Sequence, residues 1–136
     1  MSFASGTLVL TTGCMNCTGR LFWGDTVSSS SSLEKKYQDG NDSAIGDKVD
    51  LRVCTSSPSG KTVDLINVEF AKDTNSNKFY ADHRKVLREA KVNADFFYRN
   101  TFMKPREKRN ISVPCMQIGG IEGHESEVQL VDNSLC

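Results

Sequence analysis

Five cysteines and two histidines are the side chains of this 136-residue chain with the most reactive chemistry. Cys14 and Cys17 form a C-x-x-C, a spacing that serves one side of a zinc site or a dithiol redox pair. A structural zinc takes four ligands, usually from two such pairs, and there is no second pair. Cys54, Cys115 or His83 would have to complete the site from afar. A redox pair wants a βαβ setting, which GCMNCTG lacks. The stretch reads instead as a tight turn between two strands, with glycine at both ends. Cys54 has no recognisable base beside it in sequence. His83 and His124 stand outside any G-x-S-x-G, H-E-x-x-H or zinc-deaminase pattern, and no phosphate-binding glycine loop is present. The expectation is therefore no enzyme: no catalytic residues, no metal and no cofactor.

The elements around these residues suit one domain spanning 1–136. Hydrophobic residues make up 38% and charged residues 25%, with no long apolar run, which argues against a membrane partner. MSFASGTLVLTTG has no basic region and no apolar stretch of signal-peptide length, so a cytosolic site of synthesis and reduced thiols are expected. Seventeen basic residues balance seventeen acidic ones, which disfavours a free-standing electrostatic DNA binder. The charge is nonetheless uneven: Met103–Arg109 is basic and Ile121–Glu127 acidic.

Period-two patterning dominates. Thr7–Thr12 and Arg20–Val27 read as an N-terminal hairpin within 1–27. Ser28–Ser32 reads as a flexible loop, and Leu33–Tyr37 as a short strand. In Lys48–Thr55, Val49, Leu51 and Val53 share one side, while Lys48, Asp50, Arg52 and Cys54 share the other. Ser56–Gly60 has turn chemistry, and Thr62–Ala71 is the return strand. Lys72–Arg84 reads as a polar loop around KDTNSNKFYADH. Val86–Asn100 alternates again, with Ala90, Val92, Ala94, Phe96 and Tyr98 on one side. A helix competes there, since the segment contains good helix formers, and period two fits better, although the N-terminal end, DHRKVLREA, could be helical. The tail 101–136 carries Pro105, Pro114 and Gly119–Gly120 and ends in a short helix or a last strand. The fold class expected is mainly β (α+β): an antiparallel sheet of five to six strands, centred on 47–100.

A sheet with one apolar and one Lys/Asn-bearing face suits a binding surface, because such side chains can meet phosphates and unstacked bases. Most half-buried sheets, however, have a polar solvent face and nothing more.

Four features resemble the coat protein of a single-stranded RNA bacteriophage (levivirus). They are MSFASGTLVLT, the KVDLRVCTSS hairpin returning through LINVEFA, RKVLREAKVNADFF, and the order of these elements over residues 1–100. Lys91, Asn93 and Asp95 fall at alternate positions that carry an RNA-facing trio in the family. The resemblance implies an antiparallel sheet extended by homodimerisation, with C-terminal helices clasping the partner. It also implies an icosahedral capsid shell assembled in the bacterial host cytoplasm, localisation in the virion, and single-stranded viral RNA on the inner sheet face. In the family that face also represses translation through an RNA hairpin. Carried over, the RNA-binding residues are Lys48, Asp50, Arg52, Ser57, Lys61, Asn67, Glu69, Lys91, Asn93 and Asp95. Val49, Leu51 and Val53 would lie under the helices. The competing reading is a small monomeric β-domain that binds a ligand or protein partner.

Overall fold

A computed structural model describes residues 5–12, 15–75, 77–100, 104 and 106–130. The chain is a mixed α/β protein. Six strands form one sheet in the order β1 (Ser5–Thr12), β2 (Met15–Val27), β3 (Lys48–Ser56), β4 (Thr62–Ala71), β5 (Ser112–Gly119) and β6 (Glu122–Gln129). All neighbours are antiparallel except β4 and β5. That parallel pair requires a crossover, which the helix α2 (Asn77–Arg99) supplies. The other helix, α1 (Ser29–Asp39), lies between β2 and β3.

The serine run is the start of α1. Ser28 is the N-cap, and its Oγ accepts the Ser31 N–H at 3.2 Å, satisfying one of the helix's otherwise unpaired donors. Gly40 closes the helix in the left-handed conformation, φ 61°, where glycine meets no Cβ penalty. The loop expected at Ser28–Ser32 and the strand expected at Leu33–Tyr37 are thus both corrected to helix. Ser31 is fully buried, because its hydroxyl serves a contact across the fold.

The strand expected at Val86–Asn100, and the loop expected over Lys72–Arg84 from Asn77 onward, are likewise corrected to α2. Its buried positions are Phe79, Asp82, Val86, Glu89, Ala90, Val92, Asn93 and Ala94. Apart from Val92 they follow three- and four-residue steps along one helix face. The i,i+4 pair Lys91–Asp95 at 2.7 Å braces the solvent side, and Lys78 reaches in to the buried Asp82 at 2.9 Å. The apolar core lies between this helix and β5: Val86, Ala90 and Ala94 pack with Ile111, Val113 and Cys115, edged by Leu87, Phe97, Val128 and Leu130.

The N-terminal hairpin forms, with Thr12 paired to Met15 and Cys17 to Leu10. The GCMNCTG turn is corrected in part, since Met15–Gly19 belong to β2; Cys14 lies outside the described residues. β3 and β4 fall where expected. In the tail, β5 and β6 form a hairpin through Gly120, φ 61°, and the helical part among its described residues is one 3-10 turn at Glu107–Asn110. The element order differs from the one the resemblance implies, since both helices are interleaved with strands.

Candidate functional site: a buried polar layer and a bare apolar face

Both helices lie on one side of the sheet, and it is the polar side. Asn67 and Glu69 on β4 stand opposite Cys115 and Gln117 on β5, and Gln117 donates to the Phe79 carbonyl of α2 at 2.7 Å. Arg52 stands opposite Asn67, so it shares that side. The expected assignment is therefore overturned for Arg52, Cys54, Leu51 and Val53, while Val49 is buried and Lys48 exposed as expected. Alternation sorts side chains into two sets but leaves open which set is covered.

Under the helices the polar groups pair with one another. Arg52, 8% exposed, bonds Asp64 at 2.9 Å and Thr26 Oγ1 at 2.9 Å, and its guanidinium lies 5.1 Å from the Phe22 ring centre. The Cys54 thiol donates to the same Asp64 oxygen at 3.1 Å. Burial, with the Asp64 charge, pushes that thiol far up, which favours the protonated thiol. Burial also raises the Cys115 thiol.

Toward the start of α2, Lys85 bridges Glu69 at 2.6 Å and Asp82 at 3.7 Å. Burial lifts Glu69 to about 7, assisted by the Asp50 and Asp82 charges and opposed by Lys85. Burial opposes the Lys85 charge, but Glu69, Asp82 and Asp50 outweigh it and raise the ammonium. Lys78 is raised by its bond to Asp82. An excess of carboxylates over ammonium groups shifts both kinds of group upward.

A second network ties α1 to α2. Glu89, 1% exposed, accepts from Ser31 Oγ at 2.5 Å, Lys35 at 2.7 Å and the Asp47 N–H at 2.9 Å. Nothing in the sequence marks Glu89 or Gln117 as interior. They sit at helix and strand positions that only the tertiary fold covers.

The ten predicted RNA-facing residues do not form one surface. Arg52, Ser57, Asn67, Glu69 and Asn93 are buried, and their expected exposure is corrected. Asn67 Oδ1 and both polar atoms of Asn93 have no hydrogen-bond partner among the described residues. Asp50, half-buried, accepts the Phe70 N–H at 2.8 Å. Ser57 holds the β3–β4 turn through Lys61, with Ser57 N–H to Lys61 O at 2.7 Å. Lys48, Lys61 and Lys91 are exposed. Lys48 opens β3 and Lys61 lies beyond its far end, about 25 Å away at a strand's rise per residue. Lys91 and Asp95 lie on α2, where they pair with each other.

The opposite side of the sheet is apolar. Trp23, Leu51, Val68 and Met116 form one continuous row across β2, β3, β4 and β5. Leu21, Val53 and Ile66 form the next row. Phe70 and Ile118 pair beyond them, and Phe70 stacks on Trp23 with ring centres 6.0 Å apart. Among the described residues no helix packs on this side. Trp23 is 42% exposed, and Leu51, Val53, Ile66, Phe70, Met116 and Ile118 are half-buried.

Among the described residues no group of three or more His, Cys, Asp or Glu could hold a metal ion, and no helix is long and apolar enough to cross a membrane. No family model, no curated protein and no solved structure matches the chain.

Proposed function

We propose that this chain is a self-associating structural subunit, as the coat-protein resemblance implies, and that two copies join through their β1 edges into one continuous sheet. The supporting observation is the contrast between the two edges. β1 reads SGTLVLTT, with no charge and no proline, and among the described residues pairs with β2 alone. Such an edge offers a row of unpaired backbone groups, which monomeric proteins usually guard. β6 at the other edge carries Glu122, Glu125 and Glu127 within eight residues. Pairing β1 with β1 gives a closed two-fold dimer, whereas β1 on β6 would propagate without end, and the glutamates disfavour it.

The shell, the virion and the RNA partner rest on the resemblance. Lys48, Lys61 and Lys91 are the predicted cations exposed enough to reach phosphates. The competing reading, a monomeric β-domain that binds another protein, draws on the bare apolar face.

Val9→Lys tests the proposal. Val9 lies near the centre of β1, so a two-fold pairing would bring two ammonium groups together. Sedimentation should show association in the wild type and its loss in the variant, with unchanged circular dichroism. A monomeric wild type, or a variant of unchanged mass, would contradict it. Electron microscopy and the 260/280 nm absorbance ratio of the same fraction test the shell and the RNA. Assemblies free of nucleic acid would remove RNA from the reading.

A further inference from the structure

We infer that the end of the helix layer, where Tyr37, Tyr98, Arg99 and Lys108 come together, is a docking surface for single-stranded nucleic acid. This rests on the RNA part of the reading above and gives it a place in the fold, and its test separates the two.

The sequence concentrates cations here. Residues 99–109, RNTFMKPREKR, hold five basic residues and one acidic residue in a chain of zero net charge. The 3-10 turn Glu107–Asn110 brings Lys108 back against α2, with the Lys108 N–H donating to the Lys104 carbonyl at 3.2 Å. The Lys108 ammonium then lies 5.8 Å from the centre of the Tyr98 ring. The Arg99 guanidinium lies 4.1 Å from the centre of the Tyr37 ring on α1. Tyr98 and Arg99 are consecutive on α2, so the two cation–ring pairs are neighbours. Lys61, one of the predicted cations, lines a cleft with Phe96 and Asn100 at the same end of α2.

Two ordinary roles leave part of this arrangement unexplained. Cations near a helix C-terminus complement its dipole, which accounts for the charges and not for the rings. Cation–ring pairs also stabilise a fold by themselves, but these rings stay uncovered: Tyr37 is 69% exposed and Tyr98 50%. A cation takes one face of its ring and leaves the other to solvent. Glu34 neutralises Arg99 at 2.6 Å, yet the carboxylate is buried and the Arg99 side chain remains 40% exposed. The outer surface therefore presents flat aromatic faces beside cations. A single strand matches both, since its bases stack on aromatic rings and its phosphates meet the cations. A duplex hides its base faces in the stack, and an acidic peptide would use the cations alone.

Fluorescence anisotropy of a labelled oligouridylate of about 16 nucleotides, long enough for one such site, tests this. The wild-type chain should bind it, less tightly as salt rises. Lys108→Gln should flatten the log–log salt dependence by about 0.7. Tyr37→Ala with Tyr98→Ala should weaken binding about fivefold or more, whereas Tyr37→Phe with Tyr98→Phe should keep the wild-type affinity. Both tyrosines are exposed, so circular dichroism should be unchanged in all of them. Lys48→Gln should bind as the wild type does, since its neighbour Asp47 pairs with Arg88, roughly 16 Å along α2 from Arg99. Binding of oligouridylate but not oligothymidylate would assign the strand to RNA, and binding of both to single strands in general; either supports the site. A double alanine variant that binds as tightly as the wild type would overturn this surface and leave RNA to another one. Equal affinity for a duplex, or displacement by polyglutamate as readily as by unlabelled oligouridylate, would overturn the stacking role. No binding by the wild type would overturn the inference and the RNA reading together, and leave the β1 dimer to be decided by sedimentation.

Discussion

The Lys85 ammonium lies 2.6 Å from the Glu69 carboxylate, joining α2 to β4 beneath the helix layer. Glu69 is 2% exposed, and Asp50 and Asp82 surround it with further negative charge. The contact places a titrating group in the interior of the fold.

Glu69 makes stability depend on pH. Its folded value is raised from 4.5 to about 7, so between those values the folded chain binds more protons than the unfolded one. Stability from this group is full below the unfolded value, falls as pH rises toward 7 and is flat above. The loss is on the order of 3 kcal/mol for a shift of this size. Glu69→Gln should remove that slope. Urea unfolding of both proteins at several pH values from about 4 to 8 checks it, and parallel profiles would count against it.

Asp64 neutralises Arg52 in the interior. Asp64→Ala should destabilise by about 3–5 kcal/mol, because it strands a buried cation. The double variant Arg52→Leu, Asp64→Leu should cost less than Asp64→Ala alone. Chemical denaturation of the single and double variants decides this. Equal losses would mean that the ion pair is not what fixes the site.

The β3–β4 hairpin was legible in the sequence because the strands alternate and SSPSG marks the turn; both strands lie where the pattern puts them. The covered face was not legible. Arg52, Asp64, Asn67 and Glu69 look like solvent residues, yet they pair across the interior or remain buried there, while Leu51, Val53 and Ile66 stay uncovered. The second helix was masked by a coincidence: Ala90, Val92 and Ala94 alternate in sequence, and all three are also buried on α2. Its long-range partners Ile111, Val113 and Cys115 lie too far along the chain for a local pattern to reveal. The serine run hid its role because capping and the Ser31–Glu89 bond are specific geometries, which composition does not encode.

Gly119 lies where β5 meets the start of α2. A Cβ there would stand 2.8 Å from Thr74 Cγ2 and 3.2 Å from the Asp73 backbone. Gly119→Ala should cost about 1–3 kcal/mol through overpacking. Gly123 has nothing within 4 Å of the same position, so Gly123→Ala should be nearly neutral. Thermal unfolding of the two variants checks the contrast, which equal shifts would contradict.

Cys54 and Cys115 are enclosed, at 0% and 1% exposed, and both thiols are raised. Neither should react with a thiol reagent until the chain unfolds, and peptide mapping after timed alkylation would show it. Rapid native labelling of Cys54 would mean that the Arg52–Asp64 cluster opens.

Sedimentation of the purified wild-type chain across a hundredfold range of concentration tests self-association most directly. The β1 pairing predicts a mass of twice 15.1 kDa that persists on dilution. A single species at the mass of one chain, over the whole range, would contradict it.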